Sequence, residues 1–135
     1  MDEIVIAVDP GREKCGVAVV ERRGGVIEKS VVAAARMAAT VAALAERHAV
    51  GTVVLGDRTG HRDAMAALAA LCPGGRALSV SLTDEHRSTD EARARYWRDH
   101  PPRGLARLIP VTLRVPPVPV DDYVAVIIAE RYFRN

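Results

Sequence analysis

The residues best suited to chemistry in this sequence are acids standing just beyond apolar runs. Asp9 closes the run from Ile4 to Val8, Asp57 follows a short run over 52–56, Asp84 and Glu85 follow 77–82, and Asp121 and Asp122 head the last amphipathic stretch. Oxygen donors of this kind suit a hard dication such as Mg²⁺ or Mn²⁺. If Asp9, Glu85 and Asp121 meet, each ionised pair ~4 Å apart repels by about 4 kcal/mol at an effective dielectric near 20. A marginally stable domain must then protonate one acid or seat cations between them. Two ions roughly 3.5–4 Å apart would activate a water and stabilise the leaving oxygen of a phosphodiester. Each acid also has a plainer use. Asp9 can bond the amides of the Pro10-Gly11 turn, and the other acids can serve as ordinary carboxylates at helix starts. Asp57 either joins the metal set or pairs with Arg58 or Arg62.

The elements that must position these acids follow from the residue pattern. The run Ile4-Val5-Ile6-Ala7-Val8 is continuous, rich in β-branched residues and stopped by Pro10-Gly11, so it reads as a central strand buried on both faces. Residues 16–22 and 26–33 read as two more strands joined at Arg23-Gly24-Gly25, which gives an antiparallel meander, with Arg12-Glu13-Lys14 as the loop before it. A helix over 36–48 carries Met37, Val41, Leu44, Ala45 and His48 on one face. A short buried strand over 52–56 leads into a loop over 57–60. Met65, Leu68, Ala69, Leu71 and Cys72 mark a second helix, closed by Pro73-Gly74-Gly75. Residues 77–82 form a fifth strand. A third helix runs from Ser88 to about His100, with Ser88-Thr89-Asp90-Glu91 as its capping box. Residues 110–119 form an irregular proline-rich connection, and 120–133 a closing helix. Right-handed crossovers set the fourth and fifth strands parallel to the first, so the ends carrying Asp9, Asp57 and Glu85 share one rim, where ligands bind in open α/β sheets.

Composition bounds the rest. The chain of 135 residues fits one domain over 1–135 with a single core. With 49% hydrophobic but only 4% aromatic residues, that core is built from Val, Ala, Leu and Ile, and an aromatic platform for stacking bases is excluded. Cys15 and Cys72 lack metal-ligand spacing and read as reduced thiols. The acidic start Met1-Asp2-Glu3 and the absence of a long uncharged apolar run point to the cytoplasm and to no membrane contact. Net charge is +2, but of the 19 basic residues only Lys14 and Lys29 are not Arg. Arg suits bidentate phosphate contacts, although a bias across the whole chain also follows from genomic base composition. Gly11 and Gly16 have the spacing of a phosphate-binding loop. Val17-Ala18 stands where Lys-Ser/Thr is needed, so that route to nucleotide binding is excluded.

Three motifs in order carry a family resemblance over nearly the whole chain. Asp9, Gly11, Gly16 and Ala18 match strand-Asp-x-Gly-x-x-Arg-x-Gly-x-Ala, with Lys14 at the Arg position. Asp84-Glu85 followed by Ser88-Thr89 matches Asp-Glu-Arg before a Thr-rich helix start, with His86 at the Arg position and Arg87 next to it. Val120, Asp121, Ala125 and Ile128 match Val-Asp-x-x-x-Ala-x-x-Ile-Leu. In these residues the chain resembles the YqgF (RuvX) group of RuvC-like nucleases. It departs from the group at Gly56-Asp57-Arg58, where Gly-Leu-Pro is common.

The resemblance implies an α/β, RNase H-like mixed five-stranded sheet, three antiparallel strands followed by two parallel ones, flanked by helices. It implies a divalent-metal-dependent nuclease that hydrolyses phosphodiester bonds in structured nucleic acid, trimming the ends of pre-16S ribosomal RNA. The catalytic metal ligands are then Asp9, Glu85 and Asp121, with Asp9 bridging two Mg²⁺ or Mn²⁺ ions, and Asp57 or Asp122 as possible further ligands. Lys14, Arg58, Arg62 and Arg87 would hold substrate phosphates, with Arg93 a weaker candidate. The alternatives are a Holliday junction resolvase, which needs a dimer to place two cuts symmetrically, and a non-catalytic nucleic-acid-binding module of the same fold. The state is monomer or homodimer.

Overall fold

The computed structural model describes residues 3–58, 60–110 and 113–134. Met1 and Asp2 of the acidic start, Thr59 of the expected loop, and Val111 and Thr112 of the proline-rich connection lie outside the described residues. The apolar runs form five strands: β1 (Ile4–Asp9), β2 (Lys14–Glu21), β3 (Gly25–Ala33), β4 (Thr52–Gly56) and β5 (Ser79–Thr83). They make one sheet in the order β3-β2-β1-β4-β5. β2 runs antiparallel to both β1 and β3, whereas β4 is parallel to β1 and β5 parallel to β4. The continuous run of β1 is therefore central, as its lack of alternation requires. In the ladder Asp9 faces Gly16, and Gly56 faces Thr83.

Four helices cover the sheet: α1 (Met37–His48), α2 (His61–Ala69), α3 (Ser88–Asp99) and α4 (Asp121–Arg134). The period of two along β1 and β2 divides the apolar residues between two layers. Ile6, Val8, Val17 and Val19 pack with Met37, Val41 and Leu44 of α1 and with Ala64 and Leu68 of α2. Val5, Ala7, Ala18 and Val20 pack with Ala92 and Tyr96 of α3 and with Val124, Ala125 and Ile128 of α4. Each fully buried Val, Leu or Ile contributes about 1.5–3 kcal/mol. Asp9 continues the alternation of Val5 and Ala7, so its side chain belongs to the α3–α4 side. Among the described residues no helix is long and apolar enough to cross a membrane. Cys15 and Cys72 are both free thiols.

Several boundaries differ from the sequence reading. Lys14 opens β2 instead of sitting in a loop, because the ladder with β3 extends to Lys14 opposite Ala33. α2 ends at Ala69 and buries Ala64 and Leu68, leaving Ala69 and Cys72 exposed. The expected strand over 77–82 is shifted to Ser79–Thr83, where its pairing with β4 lies. The capping box does not form. Arg87, in a left-handed conformation at φ 58°, is the N-cap of α3, and Ser88 lies inside the helix with its hydroxyl fully buried. Glu91 turns away to pair with Arg131 at 2.8 Å. A short 3-10 turn at Gly104–Leu108 precedes the proline-rich connection.

Candidate carboxylate site

Two close approaches set the site at the rim formed by the ends of β1, β4 and β5. A Cβ on Gly16 would lie 1.8 Å from the carbonyl oxygen of Asp121, so only glycine lets the first turn of α4 rest on β2 beside Asp9. A Cβ on Gly56 would lie 2.2 Å from Cδ of Glu85, so the bare end of β4 makes room for that carboxylate. Glu85 is 0% exposed and Asp9 9%. Their side chains lie within reach of each other, and two carboxylates so placed can bond only when one carries a proton. Burial pushes the Asp9 carboxyl up to about 9. The hydrogen bond and charge of Glu85 and the charge of Asp121 add to this, and the Arg58 guanidinium opposes it.

Asp121 stands a step away. It acts on Asp9 through space, and its own carboxyl is raised by burial, lowered by Lys14 and raised by Asp122. Two buried oxygens, Glu85 Oε1 and Asp121 Oδ2, receive no hydrogen bond from an amide, hydroxyl or amine group of the described residues. Buried acceptors of this kind are costly unless something fills them. Among the described residues no three His, Cys, Asp or Glu side chains, as positioned, form a group that could hold a metal ion. The structure thus brings Asp9 and Glu85 into contact and Asp121 into electrostatic range, without closing the three around a common point. The donor chemistry fits a hard dication: every candidate ligand is a carboxylate, two of the buried oxygens have no amide, hydroxyl or amine donor among the described residues, and the mutual repulsion that helps raise the Asp9 carboxyl is what a cation would relieve.

The other acids have different work. Asp122 forms an ion pair with Lys29 at 2.9 Å and accepts from the Tyr123 amide, tying α4 to β3. Asp57 Oδ1 accepts from the Glu85 amide at 3.2 Å and pairs with neither Arg58 nor Arg62 among the bonds described. Asp84 accepts from the His86 amide at 2.9 Å in a local turn. Cys15 feels the charges of Asp9 and Asp121, but its side chain belongs to the opposite layer with Val17 and Val19, and burial raises its thiol.

The basic candidates surround this rim unevenly. Lys14 is exposed and close enough to Asp121 to lower its carboxyl. Arg58 donates its backbone amide to Glu85 Oε2 at 2.9 Å and its guanidinium to Thr89 at 3.1 Å. Arg62 lies in the first turn of α2, not in a loop, exposed beside a cleft of about 470 Å³ shared with Asp57, Arg58 and His61. Arg87 and Arg93 are exposed at the start and on the flank of α3. Sequence reasoning missed the Arg58 amide, which any residue type could supply, and the buried Ser88 hydroxyl, whose position resembled a cap.

The Thermus thermophilus RuvC structure superposes with a TM-score of 0.61 at 17% identity, covering 96% of this chain and 93% of that one. T. thermophilus RuvC in complex with Holliday junction substrate gives 0.62 at 17% identity, covering 98% and 94%. The fold is RNase H-like. No family model matches the chain, and no curated protein matches it significantly. In this RNase H-like sheet the acids reach the rim from β1, from just past β5 and from the start of α4.

Proposed function

We propose that the protein is a divalent-metal-dependent nuclease of the YqgF/RuvX kind, hydrolysing phosphodiester bonds in structured nucleic acid and trimming the ends of pre-16S ribosomal RNA in the cytoplasm. The observation that carries this reading is the buried approach of Asp9 and Glu85 at the end of the central strand, with Asp121 beside it and two carboxylate oxygens that no amide, hydroxyl or amine of the described residues reaches. Asp9, Glu85 and Asp121 would hold Mg²⁺ or Mn²⁺. When bound, two such ions supply Lewis acidity toward the scissile phosphate and its attacking water. The chain's own part is to orient the acids. β1 fixes Asp9, the Arg58 amide holds one oxygen of Glu85, and Gly16 seats the turn that carries Asp121. Lys14, Arg58, Arg62 and Arg87 would neutralise phosphates around the rim, giving salt-sensitive and largely sequence-independent binding.

A second reading, Holliday junction resolution, is favoured by one observation. The T. thermophilus RuvC structure bound to junction substrate aligns over 98% of this chain. The same experiment separates the two. Labelled precursor ribosomal RNA ends, four-way junction DNA and single-stranded DNA are incubated with Mg²⁺ or Mn²⁺, with wild type and with Asp9→Asn. Trimming of the RNA supports the first reading and paired junction cuts the second. In either case Asp9→Asn abolishes cleavage while binding survives, and undiminished cleavage by that variant overturns the assignment.

A further inference from the structure

The residues that follow β4 hold Glu85 from two directions. The Asp57 amide donates to the Thr83 carbonyl at 3.2 Å, carrying the β4–β5 pairing one step past the strand ends. Asp57 Oδ1 accepts from the Glu85 amide at 3.2 Å, and the Arg58 amide donates to Glu85 Oε2 at 2.9 Å. The Arg58 guanidinium then fastens this segment to Thr89 in the first turn of α3 at 3.1 Å. One residue thus grips the backbone of Glu85 and the next grips its carboxylate, while Gly56 leaves the space into which that carboxylate is drawn.

We propose that Asp57 is a positioning residue for Glu85, acting as a hydrogen-bond acceptor and not as a fourth metal ligand. The inference rests on the reading of Glu85 as a ligand. The chain Asp57–Glu85–Arg58 sets the direction of Glu85 Oε1, the oxygen that no amide, hydroxyl or amine of the described residues reaches. A long carboxylate side chain held in one rotamer loses less freedom when it binds an ion. Removing such an orienting partner typically weakens metal binding by roughly 10–100-fold. A carboxylate ligand lends the ion its charge as well as an oxygen, whereas a hydrogen-bond acceptor need only present the oxygen. Asn keeps that oxygen and discards the charge, so the two roles come apart in one substitution.

The test titrates Mn²⁺ into wild type, Asp57→Asn and Asp57→Ala by calorimetry, and follows amide hydrogen exchange at Glu85 in the metal-free proteins. Asp57→Ala is expected to weaken Mn²⁺ roughly 10-fold and to speed exchange at Glu85. Asp57→Asn is expected to stay within about 3-fold of wild type, a neutral acceptor being somewhat weaker than a charged one, and to keep the amide protected. Equal losses in the two variants would make Asp57 a ligand and overturn the proposal, as would no change in Asp57→Ala. A wild type that binds no Mn²⁺ refutes the metal reading and with it the positioning role. The exchange comparison then still reports whether the grip on Glu85 exists.

Discussion

Replacing Asp9 with Asn tests the electrostatics of the site without needing a substrate. In an unfolded chain the Asp9 carboxyl titrates near 3.8, and in the folded protein burial first, then Glu85 and Asp121, lift it to about 9. The folded value lies above the unfolded one, so the native state binds this proton more tightly. Its contribution to stability is complete below about pH 4 and is lost as pH rises toward 9. One proton held by the native state and none by the unfolded state gives a ceiling of about 1.4 kcal/mol per pH unit. Between pH 6 and 8 the loss is then up to about 2.7 kcal/mol, or roughly 10 °C in Tm for a chain of this size. Asn has the same shape and can donate to Glu85, but it cannot ionise. In chelator-containing buffer, thermal melts should show wild type losing several degrees relative to Asp9→Asn as pH rises from 6 to 8. Millimolar Mg²⁺ should raise the wild-type Tm more at pH 8 than at pH 6, because the cation takes over the neutralising task of the proton. A wild-type-minus-variant difference that stays constant from pH 5 to 9 would refute the shared-proton account.

The two glycines of the site should fail differently. Gly16→Ala drives a methyl into the backbone of Asp121, which cannot yield easily, so thermal melts should show a loss near the upper end of the ~1–3 kcal/mol typical of overpacking. Gly56→Ala meets the held side chain of Glu85, so displacing that carboxylate should lower calorimetric Mn²⁺ affinity along with the melting temperature. If Lys14, Arg62 and Arg87 touch phosphates, each alanine substitution should lower the slope of log affinity against log salt by about 1. A slope that does not move removes that residue from the interface.

The fold was largely legible because its strongest signals are local. An uninterrupted β-branched run, a Gly-Gly turn and alternating helical stripes fixed five strands and four helices, and crossover handedness fixed their order. The rim acids were legible for the same reason, since each stands where an element ends. What stayed hidden depends on partners distant in the chain. The path of Lys14 into β2 is set by Ala33, and the failure of the capping box by the pairing of Glu91 with Arg131. The distance of Asp121 from the Asp9–Glu85 pair depends on how closely a helix can seat on Gly16, which spacing alone does not encode.

The seating of α4 has a consequence for how the protein is made. Asp9 precedes every other acid of the rim, while Asp121 belongs to the helix that comes after all the other elements described. Until that helix emerges from the ribosome, Val5, Ala7 and Val54 have only α3 to cover them on its side of the sheet, and the third carboxylate is missing. Nascent chains halted short of residue 121 therefore lack a finished core and a finished rim together, so the order of synthesis holds back the complete acid set until the protein can fold.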